Sequence, residues 1–298
     1  MSLPRLFIDT LNLTMQIPVQ ERQAVDAWLQ ESSRFGEWPL NQSNARTGTY
    51  GSRYDLTAPN GKIVKIEVNP RNPSNAYMRL DYSPEKIGIE GATTLAETLA
   101  GCLGPNYREY FYQGIATRLD ATFDLRRIPL RDLWIIDSRT GFKSALIRGK
   151  TLDIETIYCG YSTSQTKCYR QLCIYDKLKE RQRAGRQSPT STRWVRFEYR
   201  YSKGDYLLAE VYARLNSPYG HFSVRRYAPI PDHMDAKQSR LLFDACRLHG
   251  EANVLALTEQ TDRERIRLAI KAFPRARFFD HRIAIWAQLR ERIHELLP

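Results

Sequence analysis

Three segments alternate apolar and polar residues with a period of two, which commits the middle of the chain to half-buried antiparallel sheet. From Thr117 to Leu125 the odd positions Leu119, Ala121, Phe123 and Leu125 are apolar, while Arg118, Asp120, Thr122 and Asp124 are polar. From Thr192 to Tyr201, Val195, Phe197, Tyr199 and Tyr201 alternate with Trp194, Arg196, Glu198 and Arg200. The third segment, Cys168 to Glu180, reads as a strand turning into a helix, with Leu172 and Ile174 on one face and Gln171, Cys173, Tyr175 and Lys177 on the other. If all three share one sheet with its apolar face on helices, the opposite face gathers Asp120, Asp124, Glu198, Tyr175, Lys177 and several arginines.

That set has two readings. Carboxylate oxygens suit a hard ion such as Mg²⁺ or Mn²⁺, which could polarise a phosphodiester. A tyrosine beside a lysine could then become nucleophilic, since a phenol of pKa ~10 needs its phenolate stabilised. Alternatively Tyr175 is an ordinary strand aromatic, and the acids pair with Arg118, Arg196 and Arg200 on a solvated sheet face. Asp176 also suits the N-cap of the helix that follows it.

Arg-Leu-Asp-Ala-Thr-Phe-Asp at 118 to 124, Glu-Thr-Ile-Tyr-Cys-Gly-Tyr-Ser at 155 to 162, Ile-Tyr-Asp-Lys at 174 to 177 and Arg-Trp-Val-Arg-Phe-Glu at 193 to 198 follow one another in that order. Together they resemble the replication initiation factor family, the trans-acting Rep proteins of rolling-circle plasmids and filamentous phages with related conjugative-element relaxases. The resemblance spans roughly residues 115 to 200. It implies that Tyr175 nicks DNA with Lys177 as its basic neighbour, and that Asp120, Asp124 and Glu198 hold Mg²⁺ or Mn²⁺. Arg118, Arg170, Arg196 and Arg200 become the phosphate contacts. The implied activity is rolling-circle initiation through a 5′-phosphotyrosyl link and a free 3′-OH primer. The implied partners are single- and double-stranded origin DNA, a host helicase and polymerase, and a second copy in a homodimer. Two departures stand out: Tyr161 separates Gly160 from Ser162, and Cys173 takes the place before Tyr-Asp-Lys where an Arg is usual, with Arg170 the nearest substitute.

The net charge of +12, with 45 basic residues spread along 298, favours a polyanionic partner through counterion release and long-range steering. A generic basic surface or an anionic membrane surface is the competing explanation. No apolar run approaches the ~20 residues that a bilayer demands, and a secretory signal pattern is missing, so no membrane role and a cytoplasmic location are expected. Cys102, Cys159, Cys168, Cys173 and Cys246 are odd in number without a CxxC spacing, which points to free thiols. His221, His233, His249, His281 and His294 form no His-x-His pair, as the two-histidine nicking enzymes require, and no His-x-x-Arg element of a tyrosine recombinase is seen. Two rivals stay open: a basic DNA-binding regulator without catalysis, and a nuclease in which metal-bound water replaces Tyr175.

The expected fold is α+β, antiparallel sheets backed by helices, with two similar halves at 1–104 and 115–216 and a helical segment at 232–298. Strands are expected at 5–17, 50–56, 63–68 and 76–82, and helices from Val19 to Arg34, with Ala24, Ala27, Trp28 and Leu29 inward, and from Pro84 or Thr93 to Leu103. The echo of Arg79-Leu80-Asp81 in Arg118-Leu119-Asp120 hints at a repeat. Residues 205–214 read as a helix, and Arg181–Thr192 as an exposed basic loop able to reach DNA. Beyond Pro231, helices are expected over 235–249, 261–272 with a Thr-x-x-Glu capping box, and 280–297, with Leu241, Leu242 and Ile283 among the inward residues. Their arginines, Arg263 to Arg282, either contact duplex DNA or form a solvated face.

Overall fold

The structure, a computed structural model, describes residues 3–36, 38–43, 48–137, 144–148, 154–159, 169–186, 193–215 and 217–297. The first half contains β1 (Leu6–Met15), α1 (Val19–Phe35), β2 (Leu40–Gln42), β3 (Tyr50–Thr57), β4 (Ile63–Pro70), β5 (Met78–Tyr82), α2 (Pro84–Leu103) and α3 (Tyr107–Gln113). The second contains β6 (Ile115–Arg126), β7 (Leu133–Asp137), β8 (Ser144–Arg148), β9 (Ile154–Cys159), β10 (Tyr169–Asp176), α4 (Lys177–Arg183), β11 (Trp194–Leu207) and α5 (Val211–Arg214). After β12 (Phe222–Arg226) come α6 (Ala236–His249), α7 (Glu251–Leu257), α8 (Arg263–Ala272), α9 (Arg277–Asp280) and α10 (Arg282–His294). The fold is α+β, with antiparallel sheets backed by helices and a helical run at the C-terminal end.

Ten strands form one antiparallel sheet in the order β2-β3-β4-β5-β1-β6-β11-β10-β9-β8. Read outward from its centre, the first half runs β1-β5-β4-β3-β2 and the second β6-β11-β10-β9-β8, so both halves follow the same path. The halves are fused by the β1–β6 ladder, in which Leu11 faces Leu119. The Arg-Leu-Asp echo does not mark this repeat: its copies lie on β5 and β6, and the counterpart of β6 is β1.

Period-two alternation sorts the sheet into an apolar and a polar face. Leu11, Leu13, Leu80, Leu119, Phe123, Ile174 and Phe197 belong to one buried core, with Phe123 stacked on Phe197 at 4.8 Å between centroids. In the first half α2 lies against β1 and β4. In the second, α9 and α10 cover the sheet, through Phe279 on Phe197 and Trp286 edge-on to Tyr199. Gln288 of α10 anchors the first strand, accepting from the Leu6 amide and donating to the Pro4 carbonyl, each at 3.0 Å. The 232–298 segment is therefore divided between two cores. α10 belongs to the main one, whereas α6 and α8 enclose a second around Trp134, Phe243, Ile270 and Phe273 against the β7–β12 ribbon.

Several helical expectations shift by a step. Val25 and Leu29, not Ala24 and Ala27, form the buried stripe of α1. Phe243 and Cys246 replace Leu241, which is exposed, and Ile285 replaces the exposed Ile283. In α1 and α6 the larger apolar side chain one or two places away, Val25 and Phe243, takes the core position, because buried area scales the gain; Ile283 and Ile285 are alike in size, and the helix phase alone decides between them. The capping box at Thr261 does not form; α8 starts at Arg263 with no side-chain cap, while Asp235 and Gln238 make a full box at α6. The stretch 205–214 is not one helix, since β11 continues to Leu207 past an irregularity between Ser202 and Tyr206. Among the described residues no helix is long and apolar enough to cross a membrane.

Candidate active site

β10 delivers Tyr175 to the polar face, and the next residue ends the strand. Asp176 caps α4, accepting from the amides of Leu178 and Lys179 at 3.0 and 3.1 Å, so the tyrosine sits where strand becomes helix. In the β10–β11 ladder Tyr175 faces Arg196 and Cys173 faces Glu198; across β11 and β6, Arg196 faces Asp124 and Arg200 faces Asp120. Cross-strand neighbours share a face, so the register alone assembles Tyr175, Glu198, Asp120, Asp124 and the three arginines Arg118, Arg196 and Arg200 on one surface.

Each acid is already engaged. Arg118 Nη2 donates to Asp120 Oδ2 at 2.5 Å. Arg196 grips Asp124 with two bonds, of 2.8 and 3.0 Å, and also reaches Asp9 at 3.4 Å. Arg200 Nε donates to Glu198 Oε1 at 2.5 Å, and the Tyr175 hydroxyl donates to Glu198 Oε2 at 2.9 Å. Asp120 and Glu198 are 1% and 4% exposed, so these are desolvated charges that their partners must hold. Among the described residues no group of three or more His, Cys, Asp or Glu side chains is placed to hold a metal ion. Asp120, Asp124 and Glu198 are each paired with an arginine, as in the alternative drawn from the sequence, but Asp120 and Glu198 are buried and not on a solvated face.

Tyr175 lines a cavity of about 410 Å³ between the polar sheet face and α4, bounded by Glu155, Tyr158, Cys173, Lys179, Arg183 and Arg200. Burial, then the Glu198 charge, push the Tyr175 phenol well above its usual range, with Arg196 opposing. The phenol is thus held neutral with its proton aimed at a carboxylate, not as a phenolate beside a lysine. Burial likewise lifts the Asp120 carboxyl, against the pull of Arg118, and takes the Cys173 thiol to about 12. Tyr158 is raised by burial too, and interacts with Cys173 and Arg200 at the far wall. Burial would lower the Arg200 guanidinium, but Glu198, Cys173 and Asp120 together outweigh it and hold it firmly charged.

Two expected residues are placed differently. Lys177 opens α4 and so does not extend the strand alternation, yet it stays a neighbour of Tyr175: its Nζ bonds Glu180 at 2.7 Å and lies over the Tyr175 ring, 5.5 Å from its centre. Arg170 carries the parity of Leu172 and Ile174, and donates to the Tyr206 hydroxyl at 3.2 Å, away from the cavity. The cations that do line it, Lys179 and Arg183, stand four apart on α4 and so share a helix face, a spacing visible in the sequence. Both are tethered to Glu155, Lys179 at 3.3 Å. Gly160, Tyr161, Ser162, Cys168 and residues 187–192 lie outside the described residues, as does the element they would have tested. Cys102, Cys159, Cys173 and Cys246 are buried. No family model matches the chain and no curated protein matches it, so the site stands on its own geometry.

Proposed function

We propose that the chain cleaves and rejoins a DNA strand through Tyr175, as a rolling-circle replication initiator working in the cytoplasm. The observation that carries this reading is the 2.9 Å bond from the Tyr175 hydroxyl to Glu198 at the floor of a cavity walled by Lys179, Arg183 and Arg200. Glu198 takes the phenolic proton as Tyr175 Oη attacks phosphorus. The Oη–P bond forms, the P–O3′ bond breaks, and the 3′ oxygen takes a proton from water to become the primer terminus. A phosphate entering the cavity competes with Glu155 for Lys179 and Arg183, and with Arg200 these offset the charge that builds on the phosphoryl oxygens. The phosphotyrosyl link keeps the bond energy, so rejoining needs no nucleotide cofactor. A host helicase and polymerase would then use the 3′-OH.

A second reading, a DNA-binding regulator without catalysis, is favoured by one observation: all three candidate metal carboxylates are neutralised by arginines. The test is incubation with single-stranded origin-region DNA, with Mn²⁺, Mg²⁺ or chelator, followed by denaturing electrophoresis. A protein–DNA adduct lost in Tyr175→Phe supports the nicking reading. Cleavage that survives Tyr175→Phe points to water as nucleophile, and binding without cleavage points to the regulator.

A further inference from the structure

We infer that Trp194, with Arg126 and Arg181, forms a nucleotide subsite that seats the base and phosphate adjoining the scissile bond. This rests on the strand-cleaving reading for its place in the reaction. Trp194 begins β11 and faces Arg126 at the end of β6, on the same polar face as Tyr175. The Arg126 guanidinium lies 3.3 Å from the indole centre, and those of Arg181 and Arg196 lie 5.7 and 5.9 Å away. Three guanidiniums gather on one ring beside Tyr175; Arg196 is paired with Asp124 and Asp9, whereas Arg126 has no carboxylate partner among the described residues.

Two details mark it as a site awaiting an anion. Arg126 is exposed, and among the described residues no carboxylate pairs with it; Asp124, its nearest acid, is taken by Arg196. Partial burial, with Arg196 and Arg181 as like charges, lowers the Arg126 guanidinium's affinity for its proton, against the pull of the Asp124 charge. Trp194 is 7% exposed, and its indole N–H is buried with no hydrogen-bond partner among the described residues. A nucleobase can replace the Arg126 guanidinium on the ring, since every base has a π-face. Arg126 then turns to the flanking phosphate, which supplies the missing counter-charge.

The spacing agrees. Trp194 and Arg196 are two residues apart on one strand face, about 7 Å, and Arg196 faces Tyr175 across the ladder. A single strand laid along this face with its scissile phosphate at Tyr175 therefore brings a neighbouring nucleotide to the indole. The chemistry selects single-stranded nucleic acid: a paired base in a duplex keeps its faces stacked and offers none to Trp194.

The test is fluorescence anisotropy with a labelled thymidine oligonucleotide about 15 nucleotides long, within the usual range of single-strand sites, and an abasic strand of equal length, across a salt series. Wild type, Arg126→Ala, Trp194→Leu and Trp194→Phe are compared, with thermal melts to check folding. Arg126→Ala, a change at an exposed side chain, is expected to weaken thymidine binding about tenfold and reduce the log–log salt slope by about 0.7. Trp194→Leu is expected to bring thymidine binding down to the abasic level, with Trp194→Phe between the two. Arg126→Ala within twofold of wild type at unchanged slope overturns the subsite, as do equal affinities of wild type for thymidine and abasic strands, binding to neither, or a preference for duplex. Loss of the Tyr175 adduct reaction with the binding pattern intact would sink the cleavage reading and leave the nucleotide site in place.

Discussion

Glu198→Gln separates two roles that the geometry gives one side chain. Glu198 accepts the Tyr175 proton at 2.9 Å and holds Arg200 at 2.5 Å. Glutamine keeps the volume and an acceptor oxygen but removes the charge. A bond to a charged group contributes ~1.5–3 kcal/mol against ~1 for a neutral one, so two such bonds lose roughly 2 kcal/mol together. Arg200 is 29% exposed and keeps Asp120 as a neighbour, which holds the cost below the ~3–5 kcal/mol of orphaning a fully buried charge. For a chain of this length that corresponds to a melting temperature lower by about 3 °C. The electrostatic and the proton-accepting roles then diverge. Neutralising Glu198 removes a cause of the raised Tyr175 phenol, so an effect confined to charge would make the nucleophile easier to ionise and the reaction faster. A proton acceptor, by contrast, is worth ~10²–10⁴ in rate, and its loss slows adduct formation by that factor. The assay is single-turnover adduct formation by gel, alongside calorimetric melting, for wild type, Glu198→Gln and Glu198→Asp. Adduct formation in Glu198→Gln at or above the wild-type rate would refute the proton transfer. An unchanged melting temperature would refute the account of the Arg200 pair.

Other outcomes follow from positions elsewhere in the fold and from Cys173 at the cavity wall. An alanine at Gly204 would place its Cβ 2.2 Å from the Ala116 carbonyl oxygen and 2.3 Å from the Tyr201 ring; denaturant melts should show a loss of ~2–3 kcal/mol as β6 and β11 part to admit it. Burial lifts the Tyr82 and Tyr219 phenols above their usual range. Their contribution is present in full below pH ~10 and lost as pH rises beyond it, because the unfolded chain gives up those protons first. Circular dichroism with phenolate absorbance should show the two transitions together. Tyr219→Phe, which removes a buried hydroxyl without a hydrogen-bond partner, should leave neutral-pH stability unchanged or higher and soften the alkaline loss. Burial takes the thiols of Cys102, Cys173 and Cys246 to about 12, so alkylation mapped by mass spectrometry at pH ~8 should spare them until the protein unfolds; labelling of the native protein at any of them counts against their burial.

The strands that carry the site are legible in the sequence because each is buried on one face only. Leu119, Phe123, Ile174 and Phe197 enter the core, and the alternation leaves Asp120, Tyr175 and Glu198 on the other side. Register is different: that Arg196 faces Asp124 and Arg200 faces Asp120 is a cross-strand fact, set by packing between segments some 75 residues apart. Without register, acids and arginines can be sorted to one face but not into pairs, which is why the metal and ion-pair readings both stayed open at the sequence level. Lys177 illustrates another limit. Alternation extends only as far as the strand, and Asp176 ends it by capping a helix, so the lysine that follows lies over the Tyr175 ring while Lys179 and Arg183 line the cavity. The β11 irregularity was hidden too, since it depends on Lys203 at positive φ and on the tight seat of Gly204 against Ala116 and Tyr201. The return of α10 to the main core is a long-range choice that its own sequence does not express.

The two halves repeat a path but not a charge pattern, and that difference locates the chemistry. On the polar face of the first half, Arg53 bonds Asp55, Arg79 bonds Glu67, and Lys65 reaches Asp81. These acids and bases match one another within β3, β4 and β5, and such a ladder presents no net charge to solvent. The second half starts from a similar ladder of Asp120, Asp124 and Glu198 with Arg118, Arg196 and Arg200. It then adds Arg126 and Arg181 over Trp194 at one edge, and Lys179 and Arg183 sharing Glu155 at another. The additional cations come from β6 and α4, Lys179 and Arg183 at the Tyr175 cavity and Arg126 and Arg181 at Trp194, while the strand ladder between them stays balanced. If the partner is a polyanion, as proposed, this distribution would draw it to the second half, toward the end where β10 becomes α4. The two halves share one sheet; the additional cations of the second half, Arg126 over Trp194 and Lys179 with Arg183 on a single Glu155, are what make that half the candidate for strand cleavage.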